Sequence, residues 1–104
     1  MLDELKTALA ATGYDFAHHA WSKAPTGDYG VYAEDGEQTI WADGHRRDFS
    51  LTGTVDYFTR DDSKTPRETI EAALNGIDIA WYLNSIQYES DTGYIHYEWV
   101  FEVA

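Results

Sequence analysis

The segment RDDSKTPRE, residues 60–68, is the most charged short stretch of the chain, and Asp61, Asp62 and the preceding Asp56 are of a type that could surround a hard cation. Calcium loops space their oxygen ligands regularly around a glycine and close with a distal bidentate glutamate. This segment has no glycine, and Arg60, Lys64 and Arg67 interleave with its acids. It reads as a solvated, mixed-charge loop leading into a helix. The histidines offer a second route to metal chemistry. His18 and His19 are adjacent, so in a regular helix or strand their side chains diverge and cannot chelate one ion as a pair. His45 falls in a turn and His96 on the polar face of the last strand, and neither HExxH nor HxH spacing occurs. No serine sits in a GxSxG setting. There is no P-loop or GxGxxG, and TGDYG and LTGTVD lack the lysine or helix that phosphate binding requires. The chain has no cysteine, which excludes disulfides, thiolate metal sites and cysteine nucleophiles. The expectation is no catalytic, cofactor-binding or metal-ligating residue.

Two other groups invite a binding role. GHRRD, residues 44–48, puts His45, Arg46 and Arg47 in a turn, where the arginines could pair with an acidic patch of a neighbouring subunit or stand as a solvated hairpin tip. Trp81, Tyr97 and Trp99 could line an aromatic pocket, although strand alternation already accounts for them as core.

The elements that must position these residues follow from periodicity. Leu2, Leu5 and Leu9 recur at helical spacing with acids in the first turn, and Gly13 stops the run, giving a helix over 2–11. Residues 14–27 read as loop, with a possible strand around Tyr14–Trp21. From Asp28 the period becomes two. Asp35-Gly36 is expected as a type I′ turn between alternating strands, and Asp43-Gly44 as the next turn. In DFSLTGTVDYFTR, Phe49, Leu51, Val55 and Tyr57 share the apolar face, where Gly53 marks a bulge or a close backbone approach. TPRETIEAALNG predicts the second helix, with Thr65 as N-cap, Pro66 in the first position, Glu68 closing a capping box, and Asn75-Gly76 ending it. The last segment is a hairpin around Asp91-Thr92-Gly93. Its final strand points Ile95, Tyr97, Trp99, Phe101 and Val103 to the core and the alternate residues to a polar face. The order α-β-β-β-α-β-β in one domain of 104 residues is an α+β fold, an antiparallel or mixed sheet with two helices packed on one face.

Composition bounds the partners. Nineteen acids against seven bases leave a formal charge of -12, which repels nucleic acid and anionic lipid unless the surface imitates DNA or lines a channel through which DNA slides. No apolar run approaches a membrane span, and the N-terminus lacks the basic start of a signal peptide, so a soluble protein made in a cytoplasm is expected. Four Trp, eight Tyr and four Phe exceed what a small core hides, and Tyr and Trp favour protein interfaces.

In its order of elements, and in PTGDYGVYAEDG, GTVDYFTRDD and YESDTGYIHYEWVFEV, the chain resembles the tail terminators of long-tailed bacteriophages, tail-completion proteins of the neck region. The resemblance spans most of residues 1–103. It implies a homo-oligomeric ring, commonly a hexamer, on the head-proximal end of the tail tube. The ring ends tube polymerisation and docks to the head connector, with no reaction and no cofactor. The implied partners are the tail tube protein and the head-connector protein. DNA passes through the ring without specific binding, and no membrane is involved. The implied locations are the host cytoplasm during assembly and the virion neck. The regions carried over as subunit contacts are 43–48, with His45, Arg46 and Arg47, and 60–66, with Arg60, Asp61, Asp62 and Lys64. The chain is shorter than many of these proteins, which leaves room for an arm or loop to be missing. The alternative from a different class is an acidic DNA mimic that blocks a host DNA-binding protein. A small-ligand or enzymatic α+β domain is the third.

Overall fold

The leucines at 2, 5 and 9 meet on one face because Asp3–Ala11 is an α-helix, α1. The computed structural model describes residues 2–42 and 45–103, and for 38–42 and 45–49 the backbone course alone. Thr12 caps α1 and Gly13 turns the chain away at φ +82°, a left-handed conformation open to glycine. The chain continues through β1 (Phe16–His18), β2 (Tyr29–Ala42), β3 (His45–Thr59), α2 (Thr65–Asn75), β4 (Ala80–Glu89) and β5 (Tyr94–Val103). The five strands form one sheet in the order β1-β2-β3-β5-β4, antiparallel except for the parallel β1–β2 pair, so the protein is α+β.

The expected string of elements is present, but its first strands are different ones. Asp35-Gly36 does not turn the chain. Glu34 pairs with Gly53 and Gly36 with Thr52, so Asp35 is the extra residue of a β-bulge inside one long strand. Asp-Gly serves a bulge as readily as a turn, and Thr52 Oγ1 donates to the Asp35 carboxylate across the irregularity (3.0 Å). The reversal lies instead between Ala42 and His45, which face each other as a pair, while residues 43–44 fall outside the described residues. The third strand of the series is β1, three residues within the segment 14–27.

Both helices cover one face of the sheet. Leu5, Leu9, Ile70 and Leu74 pack there on Tyr32, Val55, Tyr57, Tyr97, Trp99 and Phe101, with Ile95 and Val103 against the same cluster. The alternation in β3 and β5 places them, because residues two apart share a face. Gly53 belongs to this face for a steric reason. A Cβ there would lie 2.2 Å from the Ala33 carbonyl oxygen and 2.5 Å from the Phe101 ring, so the ring occupies the space a side chain would need. Tyr97 and Trp99 are buried in the core, and Trp81 is partly buried against it. Trp99 is fully buried and its Nε1 donates to Glu71 Oε2 (2.9 Å), while Trp81 Nε1 donates to Asn75 Oδ1 (3.1 Å).

The second face is less polar than alternation predicts. Tyr29, Phe58 and His96 stack in a row across β2, β3 and β5, at 4.7 Å and 4.1 Å between centroids. Tyr94 meets Tyr29 and Phe58 edge-on, and Trp21 meets Tyr29. The connection 19–28 runs against the Tyr29–Tyr94 end of this row. Trp21 Nε1 donates to the Gly30 carbonyl and the Tyr94 hydroxyl to that of Gly27 (2.9 and 2.8 Å).

Besides the outer edge of the three-residue β1, two parts of the sheet lack a neighbour among the described residues. β3 pairs with β5 only from Leu51 to Thr59, so beyond the Glu37–Leu51 pair the β2–β3 hairpin runs on alone for five further residue pairs, from Gln38–Ser50 to Ala42–His45 across a second bulge at Arg47, about 15 Å of two-stranded arm. The molecule is accordingly long, 52 × 26 × 23 Å, with a radius of gyration of 15.2 Å, where about 13 Å is usual for its length. The other open part is the outer edge of β4. Tyr82, Ile86 and Tyr88 are exposed on it, Ala80–Tyr88 carry no charge, and Asn84 is the extra residue of a bulge between Leu83 and Ser85. No helix among the described residues is long and apolar enough to cross a membrane.

Candidate functional site

The loop between β3 and α2 is built as a ladder of side chain–backbone turns. Asp61 N donates to Thr59 Oγ1 (3.0 Å), Ser63 N to Asp61 Oδ1 (2.9 Å), and Thr65 N to Ser63 Oγ (3.4 Å). Short polar side chains favour such turns over helix or sheet. The ladder displaces the expected capping box. Lys64 is already in the helical region and takes the cap position without a side-chain cap hydrogen bond, so Thr65 falls inside the first turn and Pro66 one place later than expected. Thr65 instead gives its carbonyl to Thr69 Oγ1 (2.8 Å). The Asp61 carboxyl is held below the usual range by hydrogen bonds from the Ser63 hydroxyl and backbone, which favour the ionised form.

Arg60 is a latch. Its Nε donates to the Thr92 carbonyl (3.0 Å), Nη1 donates to the Thr26 carbonyl (3.1 Å), and the guanidinium lies 4.0 Å over the Tyr94 ring. It thus ties the connection 19–28 to the β4–β5 turn. Asp28 completes the junction, accepting from the Thr59 hydroxyl (2.6 Å) and from Arg60 N (3.1 Å). Asp62 and Lys64 are exposed.

His45, Arg46 and Arg47 are the first three residues of β3, and Arg60 directly follows its last; the side chains of 45–47 lie outside the described residues. Twelve residues of strand, 48–59, separate Arg47 from Arg60, about 40 Å. The two regions therefore occupy opposite ends of the long axis and form no common patch within one chain.

Among the described residues, two groups bring three histidine or acidic donors within 4.8 Å of one another. Asp56, His96 and Glu98 lie on the second face. His96 Nε2 is 2.7 Å from Asp56 Oδ1, and Glu98 accepts from Asn84 Nδ2 (2.8 Å). The Asp56 hydrogen bond raises the His96 pKa above its ordinary value, against the opposing effect of burial. The other group, His18, His19 and Glu34, overturns the expectation that adjacent histidines diverge. His19 has φ +71°, and Ala20 N donates back to the His18 carbonyl (2.9 Å), closing a γ-turn. Both Nε2 atoms thereby reach Glu34 Oε1, at 2.9 and 3.0 Å. The rule about regular structure was sound, but this turn is not regular, and no residue type in the sequence announced it.

Comparison with known proteins adds no assignment: no family model matches the chain, and no curated protein matches its sequence.

Proposed function

We propose that this chain is a non-catalytic assembly subunit, and that the assembly is the homo-oligomeric ring of a tail terminator or related neck protein of a long-tailed phage. The observation that carries the reading is the β2–β3 arm. A two-stranded hairpin without a third strand or a helix against it is marginal in water. An arm of this kind gains its stability from what it lies against in a complex. Residues 38–49 hold two aspartates and two arginines and are formally neutral, so the entire charge of -12 sits on the rest of the chain. An arm from one copy meeting the Asp61–Lys64 loop of the next would bring Arg46 and Arg47 to an acidic end. Such a contact joins different patches on two copies and closes into a ring when the rotation permits. Exposed Tyr82 and Tyr88 add interface-type surface. An acidic ring repels the DNA that passes through it.

In this reading the partners are the tail tube protein and the head-connector protein, and the protein moves from the host cytoplasm into the virion neck. The DNA-mimic alternative is weakened by the acids themselves. Asp28, Asp56, Asp61 and Glu98 are engaged by Thr59, His96, Ser63 and Asn84, and do not form an outward row.

Light scattering and negative-stain microscopy of the full chain, alone and with tail tube protein, test the proposal. Rings are expected at least on the tube. Arg46→Glu with Arg47→Glu should abolish them, and Asp62→Lys should weaken them while leaving the unfolding free energy from urea titration within about 0.5 kcal/mol of wild type. Combining the reversals should restore assembly. A chain that stays monomeric with the tube protein present, and instead binds a DNA-processing enzyme tightly, would establish the mimic.

A further inference from the structure

The γ-turn at His19 calls for an explanation that the fold does not supply. A non-glycine residue held at positive φ costs on the order of 1–3 kcal/mol and persists where the surroundings impose it, often at functional sites. Histidine is among the residues that tolerate the left-handed region, yet nothing in the packing of the connection 19–28 requires an imidazole there. The side chain is exposed and buries no surface of consequence. What the turn accomplishes is convergence. It folds the His19 ring against that of His18, with centroids 3.9 Å apart, and directs both Nε2 atoms to one carboxylate oxygen.

We propose that His18, His19 and Glu34 form a binding site for a borderline divalent transition-metal ion, with Zn²⁺ as the representative cation. The inference is independent of the assembly reading. Two imidazoles and a carboxylate are the donor set such ions take, whereas Ca²⁺ and Mg²⁺ prefer oxygen alone. Ligands about 2.0–2.1 Å from a tetrahedral ion stand roughly 3.3 Å apart. The observed separations of 2.9 and 3.0 Å from Glu34 Oε1 to the two nitrogens need to open by only a few tenths of an ångström.

The supporting geometry is present as well. His18 is held on regular backbone, paired with Tyr32 across β1–β2, and its ring stacks on the Tyr32 ring at 4.8 Å and 11°. His19 N donates to the Tyr32 carbonyl (2.9 Å), which anchors the turn itself. Glu34 lies two residues further along β2, on the same face, immediately before the bulge at Asp35. His18 and Glu34 open onto a groove of about 800 Å³ beside α1, which Asp3 and Asp15 also line. These acids favour a cation electrostatically, opposed only by Lys6 among the groove's charged residues. Three protein donors leave at least one coordination position for water or an incoming ligand. Binding requires both Nε2 atoms to be unprotonated, so each imidazole carries its proton on Nδ1 in the loaded state.

Isothermal titration of the full chain with ZnCl₂ after chelator treatment, at pH 7.5 and again at pH 5.5, tests the site. One equivalent is expected to bind at the higher pH, with affinity falling by more than tenfold at the lower. His18→Ala, His19→Gly and Glu34→Gln should each reduce affinity at least tenfold. The glycine variant removes the imidazole while retaining a residue suited to positive φ. His45→Ala and His96→Gln should leave binding unchanged. Imidazole NMR of the wild-type chain gives an arm that needs no variant: Zn²⁺ should shift the His18 and His19 signals and leave His96 in place. Absence of binding at millimolar Zn²⁺, or binding that shifts other histidines and survives all three substitutions, would overturn the proposal.

Discussion

On the helix side of the sheet, Val55, Trp99 and Phe101 meet Leu5, Leu9, Ile70 and Leu74 and are shut away from water. On the other side, Tyr29, Phe58, Tyr94 and His96 pack ring against ring, with a connection of no regular structure, residues 19–28, against the Tyr29 and Tyr94 end. The first face is closed chiefly by apolar area, with two indole donations to α2, Trp99 to Glu71 and Trp81 to Asn75, beside it. The second is closed by rings whose lid is fastened through named polar atoms: Trp21 Nε1, the Tyr94 hydroxyl, the Arg60 guanidinium and the Asp28 carboxylate. Apolar burial is non-directional and tolerates small shifts, whereas a lid held by a few hydrogen bonds depends on each of them and on charge. The difference teaches which face answers to volume and which to protonation.

Removing the largest core ring tests the first half most severely. Trp99→Ala should destabilise the protein by about 3–5 kcal/mol in urea unfolding, because it leaves a cavity and removes one of the two donors to Glu71 Oε2, the other being Arg67 Nε. A loss below about 1 kcal/mol would show that the helix face is not the main source of stability. Arg60→Ala comes next. It loses the contact with Tyr94 and the two donations to Thr92 and Thr26, and should cost about 1 kcal/mol because the group is exposed. Its signature is regional: amide exchange should accelerate across 19–28 and 90–93 and stay unchanged in α1 and α2. Uniform acceleration would erase the distinction between the faces.

The smallest effect is a pH dependence confined to the second face. Because the folded His96 pKa is raised by Asp56, the protonated pair contributes its full stability below the ordinary imidazole value and loses it as pH rises through the folded value. The urea midpoint of wild type relative to His96→Gln should therefore decline from pH 6 to pH 8. A difference that is flat or grows with pH would show that the bond to Asp56 does not favour the imidazolium.

Much of the helix face was legible because its signals are periodic. The leucines of α1, the TPRETIEAALNG stretch and the alternation of β5 each repeat a spacing that one backbone geometry explains. The errors arose where a local signal permits two geometries. Asp35-Gly36 suits a bulge as well as a turn, and only the partner strand, with Gly53 and Thr52 in register, decides between them. Thr65-Pro66 suits an N-cap or a first turn, and Asp61 and Ser63 upstream decide that. β1 was beyond reach as a defined strand because three residues carry no period, and it exists through its pairing with Gly30–Tyr32. The His18–His19–Glu34 cluster was hidden for another reason: the sign of φ at His19 has no counterpart in residue spacing. Arg60 was singled out for an outward role; its contacts inside the chain, with Thr26, Thr92 and Tyr94, were hidden because these partners lie far from it in sequence.

The bulge at Asn84 has a consequence for how the protein survives at high concentration. Without it, β4 would offer an uncharged edge from Ala80 to Tyr88 in a single register, a template on which further strands could add without limit. With it, the outward row of N–H and C=O groups breaks between Leu83 and Ser85, and an arriving strand finds alignment with 80–83 or with 85–89 but not with both. Such an edge admits a short visitor and refuses a fibril. Deleting Asn84 would be expected to turn a discrete protein into one that gels.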